Sequence, residues 1–351
     1  MDAIIEYRDV ERFILELLSD YDVIAPVSKD SHYIFDQIDD PARVVPIIIR
    51  NYDTTLLPPV KWIYPDSEVL LRFNIKDVTE TKAVTASRKQ VLAFLHPCDI
   101  NAINIMDETL AEEPSDLNYL ARRRSTVMIG YDCPGPCREN ILCFDKGYHK
   151  ADRGFDLFFT DTGDRFYVST ATDTGNAIAE KSAVLRKAGY ADKTDLMKIN
   201  WERETRFKKS VHGDMSRLSH LLKEAYDDGI WDIEGKKCLS CGACNIVCPT
   251  CYCFDVVDEI SPDMEKGLRY RKWDGCQLHN FCETASGENF REGAAARVIH
   301  RIFKKEVYLK KRFGRSGCVG CGRCIDSCIA HISIIDIFNH VMEKARGHGE
   351  I

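Results

Sequence analysis

The sequence predicts an α+β chain in two parts, a mixed α/β domain over residues 1–230 and a helical, cysteine-rich domain over 231–351. Three observations predict it. Residues 1–230 alternate short apolar runs with Pro- and Gly-marked turns and amphipathic stretches, the pattern of strands and helices sharing a core. Two cysteine motifs of identical spacing then follow, 80 residues apart. Of the sixteen cysteines, twelve lie between Cys238 and Cys328, so the chemistry is concentrated there.

Taking the elements in order, Val10 to Ser19 carries Phe13, Ile14, Leu17 and Leu18 at helical spacing. Between Tyr21 and Arg72 six prolines punctuate short apolar runs, and Val44 to Ile49 and Glu68 to Phe73 read as strands. Val91 to Leu95 is a continuous apolar run, hence a strand, followed by a helical pattern from Ile100 to Glu112 with Asp99 as its expected N-cap. Cys98 would then sit at a strand-to-helix turn, where the helix's positive end favours a thiolate. A buried structural cysteine is the competing reading, and His96 reads as a turn or packing residue. Ser125 to Ile129 is another strand, ending in YDCPGPCRENILCF; Cys133, Cys137 and Cys143 there either join a metal site or fill a tight turn. Asp156 to Ser169 reads as a hairpin about Asp161-Thr162-Gly163-Asp164. Asn176 to Lys187 and Met215 to Tyr226 read as helices, with Gly229 at the C′ end of the second. Asp227 to Lys237 marks the change of domain.

Cys238, Cys241, Cys244 and Cys248 give C-x2-C-x2-C-x3-C followed by Pro249, and Cys318, Cys321, Cys324 and Cys328 repeat it. This is the bacterial ferredoxin spacing, in which the fourth thiolate ligates the other cluster. The expectation is therefore two [4Fe-4S] clusters with crossed ligation. Cys238, Cys241, Cys244 and Cys328 would hold one, and Cys318, Cys321, Cys324 and Cys248 the other. A zinc ribbon needs two C-x2-C pairs rather than two evenly spaced triplets, each with a fourth thiol.

Sixty-nine residues separate Cys248 from Cys318, and this insertion holds Cys251, Cys253, Cys276 and Cys282. Cys251 and Cys253 would share one face of an extended segment, half of a further site. From cysteine count alone, a third cluster and reduced structural thiols stay open as alternatives. A basic tract from Arg291 to Arg315 closes the insertion. Cluster tuning and docking of an acidic partner are favoured for it over nucleic acid, in keeping with the net charge of −7.

The N-terminal sequence lacks the basic and apolar regions of a signal peptide, and no run approaches the length of a transmembrane helix. The expected compartment is a reducing cytoplasm, anaerobic if the clusters are exposed, with no membrane partner. Neither G-x-G-x-x-G nor G-x-x-x-x-G-K-[ST] occurs, so nicotinamide chemistry is expected on a partner.

Three stretches carry a family resemblance: the run CPTCYCF, Trp273 and Cys276 in WDGC with Asn289 to Glu292 downstream, and PCDINA at Pro97 to Ala102. Together they resemble the family formed by the beta subunit of sulfhydrogenase and its relative, the A subunit of anaerobic sulfite reductase. The resemblance spans most of the chain. It implies a 4Fe-4S electron-transfer subunit of a heteromeric cytoplasmic oxidoreductase, lying between a flavoprotein that handles NAD(P)H and a catalytic partner. That partner would be a [NiFe] hydrogenase or, alternatively, a siroheme sulfite reductase; a cluster-containing sensor or nucleic-acid-binding regulator is the reading from another class. The resemblance also implies Cys98, Cys251, Cys253 and Cys276 as the ligands of a third [4Fe-4S] cluster, and no catalytic residue on this chain. Ile329 replaces the proline expected after Cys328, and the cysteine-rich CPGPCRENILC stretch departs from the expected pattern.

Overall fold

In a computed structural model describing residues 2–85 and 87–347, the strands form two sheets. The large sheet comprises β1 (Asp2–Glu6), β2 (Asp22–Lys29), β3 (His32–Ile38), β6 (Gln90–Leu95), β7 (Thr126–Tyr131), β8 (Leu157–Asp161), β9 (Arg165–Thr170) and β10 (Arg186–Lys187). The small one comprises β4 (Ser67–Asn74), β5 (Lys82–Ala83), β11 (Phe254–Ile260) and β12 (Lys266–Trp273).

The large sheet runs β10-β1-β9-β8-β7-β6-β2-β3. Its four inner strands β2, β6, β7 and β8 pair in parallel, and antiparallel strands flank them. Every residue of β6 and β7 is buried, which is why both read as unbroken apolar runs: helices cover both faces. On one face α1 (Val10–Leu18), α2 (Val45–Arg50) and α5 (Asp173–Lys181) bury Phe13, Ile14, Ile48 and Ala179 against Val91, Ala93 and Ile129. On the other, α3 (Pro97–Ala111) and α4 (Leu117–Arg124) bury Ile100, Ile103, Met106 and Tyr119 against Leu92, Leu95 and Met128.

Several local expectations change. Val44 to Ile49 is not a strand but belongs to α2: Pro46 lies in the first turn, where its missing N–H costs no helical bond, and Ile48 faces the core. The Asn176 to Lys187 stretch is helical only to Lys181, after which the chain extends into β10. Asp99 lies inside the first turn of α3 and His96 takes the N-cap position. Gly229, at φ −61°, begins α8 (Ile230–Lys237) rather than ending the previous helix, α7 (Leu218–Glu224). The seventeen residues of α6 (Tyr190–Arg206) are polar nearly all round, and only Arg203 is buried.

Packing crosses the division expected at residue 230. The small sheet, ordered β11-β12-β4-β5, joins two strands from the insertion to two from the first part of the chain. Arg271 of β12 is buried against Glu68 of β4 and against Asp116, the N-cap of α4. In the other direction, Leu218, Leu221 and Leu222 of α7 pack with Val298 and Ile302 of α10 (Ala294–Phe303) and with Phe338 and Val341 of the C-terminal helix Ile334–Gly347. After Phe303, α10 widens into a π-helical turn, Lys304–Tyr308, and resumes as α11 (Leu309–Phe313).

Candidate metal centre

Each cysteine motif folds into the same local shape. Gly242 and Gly322 adopt left-handed backbone at φ +74° and +78°, and each starts a single helical turn, α9 (Ala243–Ile246) and α12 (Arg323–Asp326). Neither position accepts a side chain without strain. A Cβ on Gly320 or Gly322 would also collide with the backbone of Leu142, Cys143 or Asn140. Each turn carries the third cysteine of its motif, Cys244 or Cys324.

Two cavities lie between the motifs, with α10 beside both. Cys238, Cys241 and Cys244 line one together with Cys328; Cys318, Cys321 and Cys324 line the other together with Cys248. Cys324 also reaches the first cavity, as the wall between the two. The fourth thiol of each motif thus faces the other motif's cavity. All sixteen cysteines are free.

These sites fit iron-sulfur clusters. Their donors are thiols alone, and the walls are apolar, with Val298, Ile302, Val319, Ile325 and Ile334. A zinc site would draw its thiolates to about 3.8 Å from one another. Among the described residues no three His, Cys, Asp or Glu side chains converge that way around a single ion.

Burial raises the Cys244 and Cys321 thiols to about 12 and Cys318 to about 11. Bound metal must therefore displace protons. The cations that offset thiolate charge are Lys146 at Cys318, Arg323 at Cys321, and members of the basic tract. Burial works against charge on Arg301, but Cys244, Cys324, Cys248 and Cys251 hold its pKa well above normal. Burial likewise opposes charge on Lys305, yet Cys248 and Cys251 raise it. The Lys305 ammonium donates to Thr250 O at 3.0 Å and Oγ1 at 2.7 Å, and the Thr250 hydroxyl donates to Gly317 O at 2.6 Å. One buried lysine thus ties the end of the first motif to the start of the second. Lys304 donates to Cys253 Sγ at 3.8 Å and covers the Tyr252 ring. These two lysines, members of the tract expected to tune the clusters and to dock a partner, lie in the π-helical turn and both point inward to the cysteine module. Lys311 and Arg312 are the exposed members of the tract.

Cys251, Cys253 and Cys276 come together: Asn245 Nδ2 donates to Cys276 Sγ at 3.4 Å and to Cys251 Sγ at 3.8 Å. A hydrogen bond from Cys253 lowers the Cys276 pKa, although burial opposes it. Cys98, expected as the fourth member, has other company. It packs with Val319 and Cys321, and it exchanges charge influence with Cys321, Cys137 and Cys133. From the first part of the chain, Lys61 feels the charges of Cys251, Cys248 and Cys253, and the Tyr64 hydroxyl donates to Tyr252 O at 3.0 Å. Nor is Cys98 poised as a thiolate: burial, then Asp99, push its pKa well up and outweigh the helix end.

Two fused thiol-lined cavities with inward-facing cations define the class, an iron-sulfur electron-transfer protein. Residues 237–332 match the 4Fe-4S dicluster domain family. Over 322 residues, 92% of each chain, the sequence is 31% identical to sulfhydrogenase 2 subunit beta of Pyrococcus furiosus. The chain belongs to the sulfhydrogenase beta-subunit family, and it is an iron-sulfur electron-transfer subunit. No solved structure matches it. Among the described residues no helix is long and apolar enough to cross a membrane.

Proposed function

We propose that the chain relays electrons between a flavoprotein subunit that handles NAD(P)H and the catalytic subunits of a [NiFe] hydrogenase. In this reading Cys238, Cys241, Cys244 and Cys328 hold one [4Fe-4S] cluster, and Cys318, Cys321, Cys324 and Cys248 the other. Residues 231–351 are the cluster module and residues 1–230 its scaffold. The observation that carries it is the placing of the eight motif cysteines around two adjoining cavities, where the fourth thiol of each motif lines the cavity of the other motif's three and Cys324 borders both.

Bound clusters supply one-electron storage at potentials set by net charge, hydrogen bonds and burial. The chain's own residues do the rest. Val298, Ile302 and Ile334 keep water from the cavities, and Arg301 and Lys305 balance thiolate charge. A third cluster on Cys251, Cys253 and Cys276 extends the reading, with three thiolates from this chain since Cys98 faces elsewhere.

A hydrogenase partner is preferred to a sulfite reductase because the similar Pyrococcus furiosus protein is a sulfhydrogenase subunit. Co-purification under anaerobic conditions tests the reading: nickel-containing and flavin-containing subunits should accompany the chain. A siroheme subunit in place of nickel would move it to the sulfite reductases, and nucleic acid without an enzyme partner would sink it.

A further inference from the structure

The four cysteines outside the ferredoxin-type module, Cys98, Cys133, Cys137 and Cys143, meet at one place in the fold. Two are brought there by the large sheet. Strands β6 and β7 are parallel neighbours in which Leu95 pairs with Gly130. Three residues beyond that pair in each chain stand Cys98 and Cys133, just past the carboxyl ends of the strands, where open α/β sheets bind their ligands. The other two follow on the loop that leaves β7. Cys133 and Cys143 share a buried cluster with Ile141 and Phe207, and Cys137 packs against it. The four are near enough for charge on any one to be felt by at least two of the others: Cys133 by Cys98, Cys137 and Cys143, and Cys137 by Cys98 and Cys143 as well.

The surroundings are those of a liganded site rather than of packing thiols. His96, only 1% exposed, has Nδ1 at 2.8 Å from Cys133 Sγ, and its Nε2 has no hydrogen-bond partner in the protein. Two arginines offset charge there: Arg138 beside Cys137, and Arg323, which faces Cys98 and Cys137. The site also touches the second ferredoxin-type cavity. Leu142 N donates to Gly320 O at 2.7 Å, Leu142 lines that cavity, and Cys98 packs against Cys321.

We propose that Cys98, Cys133, Cys137 and Cys143 hold a further [4Fe-4S] cluster at the carboxyl edge of the large sheet, adjoining the cavity of Cys318, Cys321, Cys324 and Cys248. Four soft sulfur donors select zinc or iron-sulfur, and their place against the second thiol-lined cavity, where Cys98 packs with Cys321, points to the cluster. A single electron passing between this cluster and its neighbour would leave one oxidised and the other reduced, with no bond made or broken. The electron path would thereby leave the ferredoxin-type module and end inside the α/β domain.

The test uses full-length, anaerobically purified protein, with iron, zinc and acid-labile sulfide counted and reduced-state EPR recorded. Wild type should hold at least about twelve irons, since two ferredoxin-type clusters account for about eight. Cys98→Ala and Cys143→Ala should each lose about four irons and four sulfides and keep both ferredoxin-type signals, and the double variant should lose no more than either. Cys137→Ser keeps the side chain's size, and it should alter or abolish one EPR signal without unfolding. Loss in Cys98→Ala with no loss in Cys143→Ala overturns the proposal, returning Cys98 to Cys251, Cys253 and Cys276. About eight irons in wild type, or zinc lost instead of iron, overturns it as well. Failure of the ferredoxin-type reading would show differently, as absent dicluster signals in wild type.

Discussion

Arg323, set between Gly322 and Cys324 of the second motif, donates from both terminal nitrogens to the two carboxylate oxygens of Asp99, at 2.7 and 3.1 Å. Each side chain is 1% exposed, and Arg323 Nε donates to Thr55 O at 2.7 Å. The pair clamps the start of α3 onto the cysteine module. A buried ion pair adds little over apolar residues of the same volume, but breaking one strands a charge at about 3–5 kcal/mol. Asp99→Ala should destabilise the chain by that amount in anaerobic denaturant unfolding. Asp99→Leu combined with Arg323→Met should recover much of the loss. Equal losses in the single and double variants would contradict this account of the clamp.

Crossed ligation makes Cys248 distinctive, since it follows the first motif yet lines the second cavity. Cys248→Ala should damage the cluster of Cys318, Cys321 and Cys324 and leave that of Cys238, Cys241 and Cys244 assembled. Site-resolved spectroscopy checks the assignment, and loss of the Cys238 cluster alone would reverse it.

Lys305 is the buried cation shared by the two motifs. Replacing it with methionine should lower the potential of the cluster bound at Cys248 by on the order of 50 mV, about 1 kcal/mol for one electron. Redox titration followed by EPR provides the measurement; an unmoved potential would mean that Lys305 serves only to join Thr250 to its neighbours.

Partner docking falls to the outward end of the basic tract. Association with the flavoprotein subunit should slow as salt rises, because exposed charges are screened beyond about 10 Å at 0.1 M. Lys311→Glu should slow it further. A rate indifferent to both changes would leave Lys311 a solvated surface residue.

The cysteine motifs were legible in the sequence because their geometry is local: three thiols at fixed spacing, a left-handed glycine and one helical turn fit within a dozen residues. The parallel strands β6 and β7 were legible as unbroken apolar runs. The company of Cys98 was not, since it depends on which strands become neighbours, and Leu95 meets Gly130 across 34 intervening residues. The direction of Lys304 and Lys305 was hidden too. A list of charges carries no phase, and a π-helical turn resets the phase within the helix. Val44 to Ile49 shows β-branched content losing to position, since Pro46 suits a first helical turn.

The small sheet has a consequence for the birth of the protein. Strands β4 and β5 leave the ribosome with only each other to pair, and a two-stranded ribbon is marginal alone. Their partner β12 and its neighbour β11 begin at Phe254, 171 residues after Ala83, which is roughly 10–35 s of translation. During that interval the edge of β4 is an open template for pairing with other chains. The first cysteine motif emerges just before the strands that close it, so cluster loading and edge closure compete for the same moment of synthesis.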